Sequence, residues 1–151
     1  MCELDTVSKN DRSRIMACVK SSGNKSTEQK FVSILKNARI TGWRRKYTAY
    51  GNPDFVFPSK QVAVFVDGCF WHYCPKHCRI PSTNVEYWVK KISQNAKRDL
   101  QVTIGLKKRG WIVIRFWEHE LKGGKDFIQK IGRLKRIVNK TNVVSRGFRQ
   151  D

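Results

Sequence analysis

The sequence predicts an α/β fold in which a mixed central sheet is flanked by helices. Two nearly continuous apolar runs, at 61–66 (QVAVFV) and 111–117 (WIVIRFW), are typical of buried strands that are covered on both faces. Segments with a helical spacing of apolar residues lie before, between and after these runs. The chain has 151 residues, 40% of them hydrophobic, and no internal repeat, so we expect one compact domain.

The first half of the chain contains one predicted helix and three predicted strands. Ser26 and Gln29 form a capping-box pattern, which indicates a helix that continues to about Ala38. Alternating or apolar segments with turn residues between them then predict strands at 42–50 (GWRRKYTAY), 54–57 (DFVF) and 61–66.

The second half contains a long helix, a strand and a closing helix. Thr83 and Glu86 form a second capping-box pattern, and Gly110 is expected to end the long helix. The buried strand at 111–117 follows. At 100° per residue, one stripe of the long helix is predicted to be buried: Val85, Trp88, Val89, Ile92, Ala96, Leu100, Thr103 and Leu106. A similar stripe marks the closing helix: Phe127, Ile131, Leu134 and Val138.

The charge balance favours a polyanionic partner. Lys and Arg number 31 against 12 acidic residues, a net charge of +19, and the basic residues are spread along the chain. A surplus of this size is typical of proteins that bind nucleic acid. The N-terminus has no signal-peptide pattern and no stretch reaches the ~18 apolar residues of a membrane span, so we expect a cytosolic protein without a membrane partner. The predicted organisation is an arm at 1–25 that is expected to contact the polyanion, a main domain at 26–139 and a basic tail at 140–151.

Two carboxylates are predicted at strand ends. Asp54 begins one strand and Asp67 ends the next, so an antiparallel pair could bring both to one edge of the sheet. Mg²⁺ prefers oxygen ligands and is often held by one or two carboxylates together with substrate phosphate. In the alternative interpretation, Asp54 caps the turn after Pro53 and Asp67 accepts hydrogen bonds from backbone amides before Gly68.

A cluster of cysteines indicates a structural zinc site. Cys69, Cys74 and Cys78 fall within ten residues, and His77 or His119 could supply a fourth ligand. His119 is favoured because it would join the loop to the end of a neighbouring strand. In the alternative interpretation the three cysteines bind no metal.

His72 lies among these residues without a predicted structural task. Asp99 falls inside the buried stripe of the long helix, and a carboxylate there needs a partner. His72 or Arg98 could be that partner, and a His–Asp pair would orient the imidazole for proton transfer. In the alternative interpretation, Asp99 only pairs with a basic residue for packing.

Three aromatic residues lie near this histidine. Phe70 and Trp71 are adjacent on a loop, so both cannot point into one small core. Apolar side chains of this kind can act as wedges between base steps in DNA. Trp88, near the start of the long helix, could join them, although core packing is the ordinary role of a tryptophan.

Several motifs together resemble one known family. They are GCFWH after an apolar strand, PDF upstream, PSTNVEYWVKKISQNAKRD downstream, and GWIVIRFWEHEL near the end. In order and spacing they resemble the very-short-patch repair (Vsr) DNA mismatch endonucleases from about Arg12 to Gly123. The resemblance implies a restriction-endonuclease-like core that recognises a T·G mismatch in double-stranded DNA. It also implies that the enzyme nicks the strand 5′ to the mispaired thymine.

The resemblance also implies roles for particular residues. Asp54 matches the metal-binding aspartate, His72 the catalytic histidine and Asp99 the acid that holds this histidine. Glu28 matches an acid that reaches the metal site through water. The resemblance implies a zinc ion bound by Cys69, Cys74, Cys78 and His119, with His77 as the alternative fourth ligand. It implies DNA wedges at Phe70, Trp71 and Trp88, and DNA contacts from the N-terminal arm at Arg12, Arg14 and Met16.

The sequence departs from the family pattern at two places. The best-known members have Thr-His before the Gly-Cys pair, whereas this chain has Val66 and Asp67. The main-chain carbonyl of Val66 can still bind Mg²⁺, and Asp67 adds a charge that is expected to recruit it. The loop from Trp71 to Cys78 is two residues longer, and a cysteine and a histidine exchange places among the expected zinc ligands.

The sequence therefore predicts a magnesium-dependent DNA nicking endonuclease with a structural zinc. His72 would accept the proton of the attacking water. We expect a monomer in the bacterial cytosol, associated with the nucleoid, which hands its product to mismatch-repair proteins. Two alternatives are a dimeric restriction-type endonuclease on the same core and a zinc-stabilised DNA-binding module without catalysis.

Overall fold

A computed structural model describes residue 10 and residues 25–140. The predicted arm residues Arg12, Arg14 and Met16 lie outside the described residues, as does the predicted tail from position 141. The elements in chain order are a π-turn Lys25–Gln29, α1 Lys30–Asn37, β1 Phe55–Phe57, a 3₁₀ turn Pro58–Lys60, β2 Val62–Asp67, α2 Val85–Lys108, β3 Ile112–Trp117, a 3₁₀ turn Glu118–Lys122 and α3 Lys125–Asn139.

The described strands form a mixed sheet in the order β1–β2–β3. β1 pairs antiparallel with β2, with Phe55 opposite Val64, and β2 pairs parallel with β3, with Asp67 opposite Trp117. The predicted mixed α/β sheet is therefore confirmed. The strand predicted at 42–50 is wrong, because only Arg44 pairs with the sheet, as an isolated bridge. Lys46 adopts φ +52°, which breaks an extended backbone.

Both faces of the sheet are covered, as the apolar runs predicted. The alternation along β2 sends Val62, Val64 and Val66 into a core with residues of α1 and α3, including Phe31 and Leu134. The opposite face holds a smaller core: Ala63, Phe65 and Leu106, with Val102, Trp111 and Val113 packed against it. α2 therefore covers one face of the sheet, and α1 and α3 cover the other.

The predicted stripe of α2 is only partly buried. Trp88, Ile92 and Leu106 are buried, but Val85 and Leu100 are 46% and 61% exposed. A helix of 24 residues is about 36 Å long, whereas a six-residue strand spans about 20 Å, so α2 cannot pack on the sheet along its whole length.

The ends of the helices also differ from prediction at one position. α2 begins at Val85 after Asn84, which has a left-handed conformation and no side-chain cap hydrogen bond, so the N-cap lies one residue later than the predicted Thr83. The side chain of Ser26, where the first capping box was predicted, lies outside the part of the chain whose side chains are described. The predicted stripe of α3 packs against the core: Leu134 is fully buried, and Phe127, Ile131 and Val138 are partly buried. Among residues 25–140, no helix combines the length and apolar character that crossing a bilayer requires.

Candidate active site and metal centre

The candidate site lies at the edge of the sheet where β2 and β3 end. Because these strands are parallel, their last residues, Asp67 and Trp117, meet at one edge. β1 is antiparallel to β2, so Asp54, which precedes β1, comes to the same edge. The topology thus brings the two predicted strand-end carboxylates together.

Asp54 is held next to the end of β2 by a hydrogen bond to the backbone of that strand. Its Oδ2 atom accepts a hydrogen bond from the Val66 backbone N–H at 2.8 Å. Burial raises the pKa of Asp54 to about 6; the Val66 N–H opposes this rise, while the charges of Glu28 and Asp67 add to it. A carboxylate in this electronegative setting is suited to a cation, and oxygen donors are what Mg²⁺ prefers.

A cleft of about 370 Å³ opens beside Asp54. Its lining is mostly polar: Glu28, Arg45, Lys46, Tyr47, Thr48, Asn52, Pro53 and Asp54. Glu28 is buried and forms an ion pair with Arg45. The structure therefore places Glu28 in the same cleft as Asp54, with its charge balanced by an arginine that the sequence analysis did not select.

His72 and Asp99 are brought into direct contact. Nδ1 of His72 lies 2.5 Å from Oδ2 of Asp99 and 3.6 Å from Oδ1 of Asp67. Burial opposes the protonated imidazole, but the hydrogen bond with Asp99 and the charge of Asp67 outweigh it, so the pKa of His72 is raised. Burial also opposes the charged form of Asp99, yet the contact with His72 and the charges of His72 and Arg115 lower the pKa of Asp99.

Arg115 is, after Arg45, the second residue of this site that sequence reasoning missed. Its Nε and Nη2 atoms donate to the two carboxylate oxygens of Asp67 at 2.7 and 2.9 Å. The guanidinium also lies 3.3 Å from Oδ1 of Asp99. The signal was present in the sequence, because an arginine inside the apolar run WIVIRFW must find a partner once the strand is covered.

The group of candidate metal ligands differs from the predicted zinc set in one residue. Cys69, Cys74, His77 and His119 each offer a ligand atom, and these atoms lie within 4.8 Å of one another. Cys78 lies outside this group, with its Sγ 3.5 Å from the carbonyl oxygen of Phe70. Both candidate histidines are therefore brought to the cluster.

The spacing of these atoms fits a tetrahedral metal. Nδ1 of His119 is 3.3 Å from Sγ of Cys69 and 3.6 Å from Sγ of Cys74. Zn–S and Zn–N bonds of about 2.3 and 2.0 Å at a tetrahedral angle require an S···N separation of about 3.5 Å. The register explains the contact: Cys69 and His119 each lie two residues beyond the paired residues Asp67 and Trp117.

The three predicted wedge residues form one aromatic cluster. The ring of Phe70 lies 5.1 Å from that of Trp71 and 5.4 Å from that of Trp88, both edge to face. Phe70 and Trp71 are half-buried, whereas Trp88 is 3% exposed and its Nε1–H has no partner among the described residues. Trp88 is therefore the buried member of the cluster, against which the rings of Phe70 and Trp71 pack.

Comparison with known proteins assigns the family. Residues 4–79, half of the chain, match the family described as DNA mismatch endonuclease Vsr. The DNA mismatch endonuclease Vsr of Escherichia coli (strain K12) is 31% identical over 122 residues, which cover 79% of this chain and 76% of that protein. The type II nicking enzyme V.NmeDIP of Neisseria meningitidis serogroup C is 37% identical over 69% of this chain and 73% of that protein.

A third relative matches over a shorter region. The type II nicking enzyme V.NaeI of Lentzea aerocolonigenes is 54% identical over 68 residues, 45% of this chain, and the chain spans only 41% of the length of V.NaeI. The chain therefore belongs to the DNA mismatch endonuclease Vsr family. It is a DNA endonuclease, a hydrolase whose polyanionic partner is DNA.

Proposed function

We propose that this protein is a magnesium-dependent endonuclease that nicks DNA at T·G mismatches, 5′ to the mispaired thymine, and so starts very-short-patch repair. The observation that carries the proposal is the contact of His72 with Asp99 at the sheet edge that also holds Asp54. Relatives named as a mismatch endonuclease and as nicking enzymes support it. The proposed core is restriction-endonuclease-like, and the proposed place of action is DNA in the bacterial cytosol.

Each side chain of the site has a proposed task. Asp99 holds Nδ1 of His72, which leaves Nε2 to accept a proton from the attacking water. Asp54 and the main-chain carbonyl of Val66 would hold Mg²⁺, while Glu28 reaches the same cleft from the π-turn. When bound, Mg²⁺ would polarise the scissile phosphate and stabilise the charge that develops on it.

The cysteine and histidine cluster has a proposed structural task. Four sulfur and nitrogen donors leave no open position, which is typical of structural rather than catalytic zinc. The proposed ligands are Cys69, Cys74, His77 and His119. Zinc at this site would fix the loop after β2, and with it the position of His72 between two ligands.

The loop also carries the proposed recognition surface. Phe70 and Trp71 are half-buried and rest on Trp88, so they can enter the duplex beside the mismatch while Trp88 supports them. Arg12, Arg14 and Met16 are proposed to approach the duplex from the N-terminal arm. We further propose that the protein acts as a monomer and that mismatch-repair proteins process the nick.

Cleavage of end-labelled duplexes tests the proposal. Duplexes with T·G and with fully paired bases at the same position are incubated with and without Mg²⁺. Magnesium is omitted rather than chelated with EDTA, because EDTA would also strip zinc. We expect a magnesium-dependent nick on the thymine strand only, and His72→Ala should slow it by at least about 100-fold while DNA binding is retained. Tyr73→Ala, at the exposed neighbouring position, is the matched control and should nick normally.

Other outcomes of this assay would select other functions. Cleavage of both strands of the fully paired duplex would indicate a restriction-type endonuclease. Binding without cleavage, in the presence of Mg²⁺, would indicate a zinc-stabilised DNA-binding module. Either result would contradict the proposed function.

A further inference from the structure

Arg115 makes an unusually complete set of contacts for a single side chain. A guanidinium has five N–H donors, and five oxygen atoms of three residues surround this one. They are Oδ1 and Oδ2 of Asp67, Oδ1 and the main-chain O of Asp99, and Oγ1 of Thr103, at 2.7 to 3.3 Å. The guanidinium also lies 4.4 Å from the ring centroid of Phe65, which leaves it packed as well as paired.

The fold explains why these groups meet. Asp67 on β2 and Arg115 on β3 belong to the sheet face that α2 covers, because both alternate with residues of the opposite core. Asp99 and Thr103 are four residues apart on α2, so they lie one helical turn from each other. Arg115 therefore joins α2 to both parallel strands at the edge where His72 lies.

The two carboxylates that Arg115 binds are also the two that face His72. Oδ2 of Asp99 lies 2.5 Å from Nδ1 of His72 and Oδ1 of Asp67 lies 3.6 Å from it. Without a cation between them, two carboxylates this close would repel each other and compete for the imidazole. With Arg115 bound to both carboxylates, Asp67 and Asp99 each direct one oxygen atom toward Nδ1 of His72.

The same contacts change the interpretation of Asp67. The sequence analysis expected it to recruit Mg²⁺, but both of its oxygens accept hydrogen bonds from Arg115, and the residue is only 4% exposed. A bidentate Arg–carboxylate pair is among the stronger polar contacts in proteins. A second cation would have to bind at the remaining lone pairs of two oxygens that already share the full positive charge of Arg115, on a buried side chain, so Asp67 is a weaker magnesium ligand than Asp54.

We infer that Arg115 is a positioning residue that bridges Asp67 and Asp99 and thereby sets the orientation of the His72 imidazole, with Asp67 as its counter-ion rather than a magnesium ligand. This inference rests on the proposed function, because it assigns to Arg115 a part in the nicking reaction that is exerted through His72. Asp54 and the Val66 carbonyl would then hold Mg²⁺ without Asp67.

The first test compares variants of Arg115. Nicking of the T·G duplex is measured in single turnover at saturating enzyme, and DNA affinity is measured by fluorescence anisotropy without Mg²⁺. Arg115→Met should lower the rate constant by about 10- to 100-fold and change Kd no more than Arg109→Met does. Arg109→Met is the matched control: it removes the same charge at the exposed end of α2, where Arg109 lies over Tyr50. Arg115→Lys should recover part of the rate, because it keeps a charge between the carboxylates but loses the planar fork.

The second test asks whether Asp67 binds magnesium. Isothermal titration of Mg²⁺ into the zinc-loaded protein without DNA gives a readout that does not depend on cleavage. We expect Asp54→Asn to abolish the binding heat and Asp67→Asn to leave the affinity within about 2-fold of wild type. Asp67→Asn should still slow nicking. The double variant with Arg115→Met should nick no more slowly than Arg115→Met alone, because the two substitutions remove the same contact, the ion pair between Arg115 and Asp67.

A spectroscopic test follows the imidazole itself. A proton held between Nδ1 of His72 and Asp99 should give a resolved downfield NMR signal in wild type and in Arg109→Met. We expect that signal to be lost in Arg115→Met and retained in Arg115→Lys.

The outcomes separate this inference from the proposed function. Arg115→Met with the wild-type rate and the wild-type His72 signal would overturn the positioning role, and loss of magnesium binding in Asp67→Asn would overturn the counter-ion role. A wild-type protein that nicks no duplex would overturn the proposed function, yet the titration and the NMR signal would still decide the inference. If Arg115→Met does not fold, Arg115→Lys tests the positioning role and Asp67→Asn tests the counter-ion role. An Arg115→Lys variant that folds but nicks as slowly as His72→Ala would contradict the positioning role.

Discussion

Two polar clusters lie side by side at this sheet edge, and they are assembled in different ways. In the metal cluster, three of the four candidate ligands fall within nine residues of one loop, and only His119 comes from elsewhere. In the cluster around His72, the partners are 27 residues apart for His72 and Asp99, and 48 residues apart for Asp67 and Arg115. The first cluster is mainly local and the second depends on the tertiary fold.

The difference indicates what each cluster depends on. The loop between β2 and α2, which the structure describes throughout, contains no helix or strand, so its shape is expected to depend on metal binding as well as on the packing of Phe70 and Trp71 against Trp88. The His72 cluster depends on the packing of α2 against the sheet through Leu106 and Val102. Asn95 joins the two regions, since its Nδ2 donates to the carbonyl of Trp71 at 3.0 Å.

The largest expected effect comes from removing a buried metal ligand. Cys74→Ser should abolish zinc binding and destabilise the protein by more than about 4 kcal/mol, because loss of a structural metal belongs to the most damaging class of substitutions. Cys74 is 2% exposed, so the serine hydroxyl would also be buried. Zinc content by mass spectrometry and the thermal unfolding midpoint measure the two effects.

Cys78→Ser is the control that sharpens the ligand assignment. Because Cys78 lies outside the group of four ligand atoms, this variant should keep about one zinc per chain and a nearly normal midpoint. Loss of zinc in Cys78→Ser, with zinc retained in His77→Ala, would restore the ligand set predicted from the sequence.

A smaller effect is expected from disturbing α2 without touching either cluster. A Cβ added at Gly51, which has φ +78°, would lie 2.2 Å from Cγ1 of Val102. Gly51→Ala should cost about 3 kcal/mol through backbone strain and overpacking, and it should slow nicking because α2 carries Asp99. Zinc content should not change. Calorimetry and the single-turnover nicking rate measure these effects.

Gly42→Ala provides the matched comparison. Gly42 has φ +84°, but a Cβ there would meet nothing within 4 Å, so only the backbone term of about 1 kcal/mol remains. If Gly51→Ala and Gly42→Ala destabilise the protein equally, α2 accommodates the methyl group added next to Val102. The His72 cluster would then not depend on the packing of α2 at this point.

The smallest expected effect concerns DNA recognition by the loop that carries Phe70 and Trp71. Phe70→Ala should lower the preference for the T·G duplex over the paired duplex by about 10-fold, since stacking of an aromatic residue on a base contributes about 1–3 kcal/mol. Overall DNA affinity should fall less, because the basic surface dominates it. Competition binding with the two duplexes measures the ratio, with Tyr73→Ala as control; an unchanged ratio for Phe70→Ala would remove its wedge role.

Sequence reasoning succeeded where the signal was local. The apolar runs predicted β2 and β3, and the close cysteine spacing indicated a group of possible metal ligands, of which Cys69 and Cys74 lie together with His77 and His119. Asp99 could be selected because a carboxylate inside a helical apolar stripe needs a partner. Two exposed residues of the same stripe were misjudged for different reasons. Val85 is the first residue of α2, and periodicity does not reveal where the sheet under a helix ends. Leu100 lies about 80° from Ile92 around the helix axis, so it is at the angular edge of the stripe.

The sequence by itself determined that this chain is a basic α/β protein with buried strands, a cysteine-rich loop and a few carboxylates that needed partners. Only the tertiary structure decided which partners they found. The parallel register of β2 and β3 placed His119 beside Cys69, and the packing of α2 placed Asp99 beside His72 and Arg115. The physical reason is that ligand distances and ion pairs between distant residues depend on strand register and helix packing, which a linear pattern does not encode.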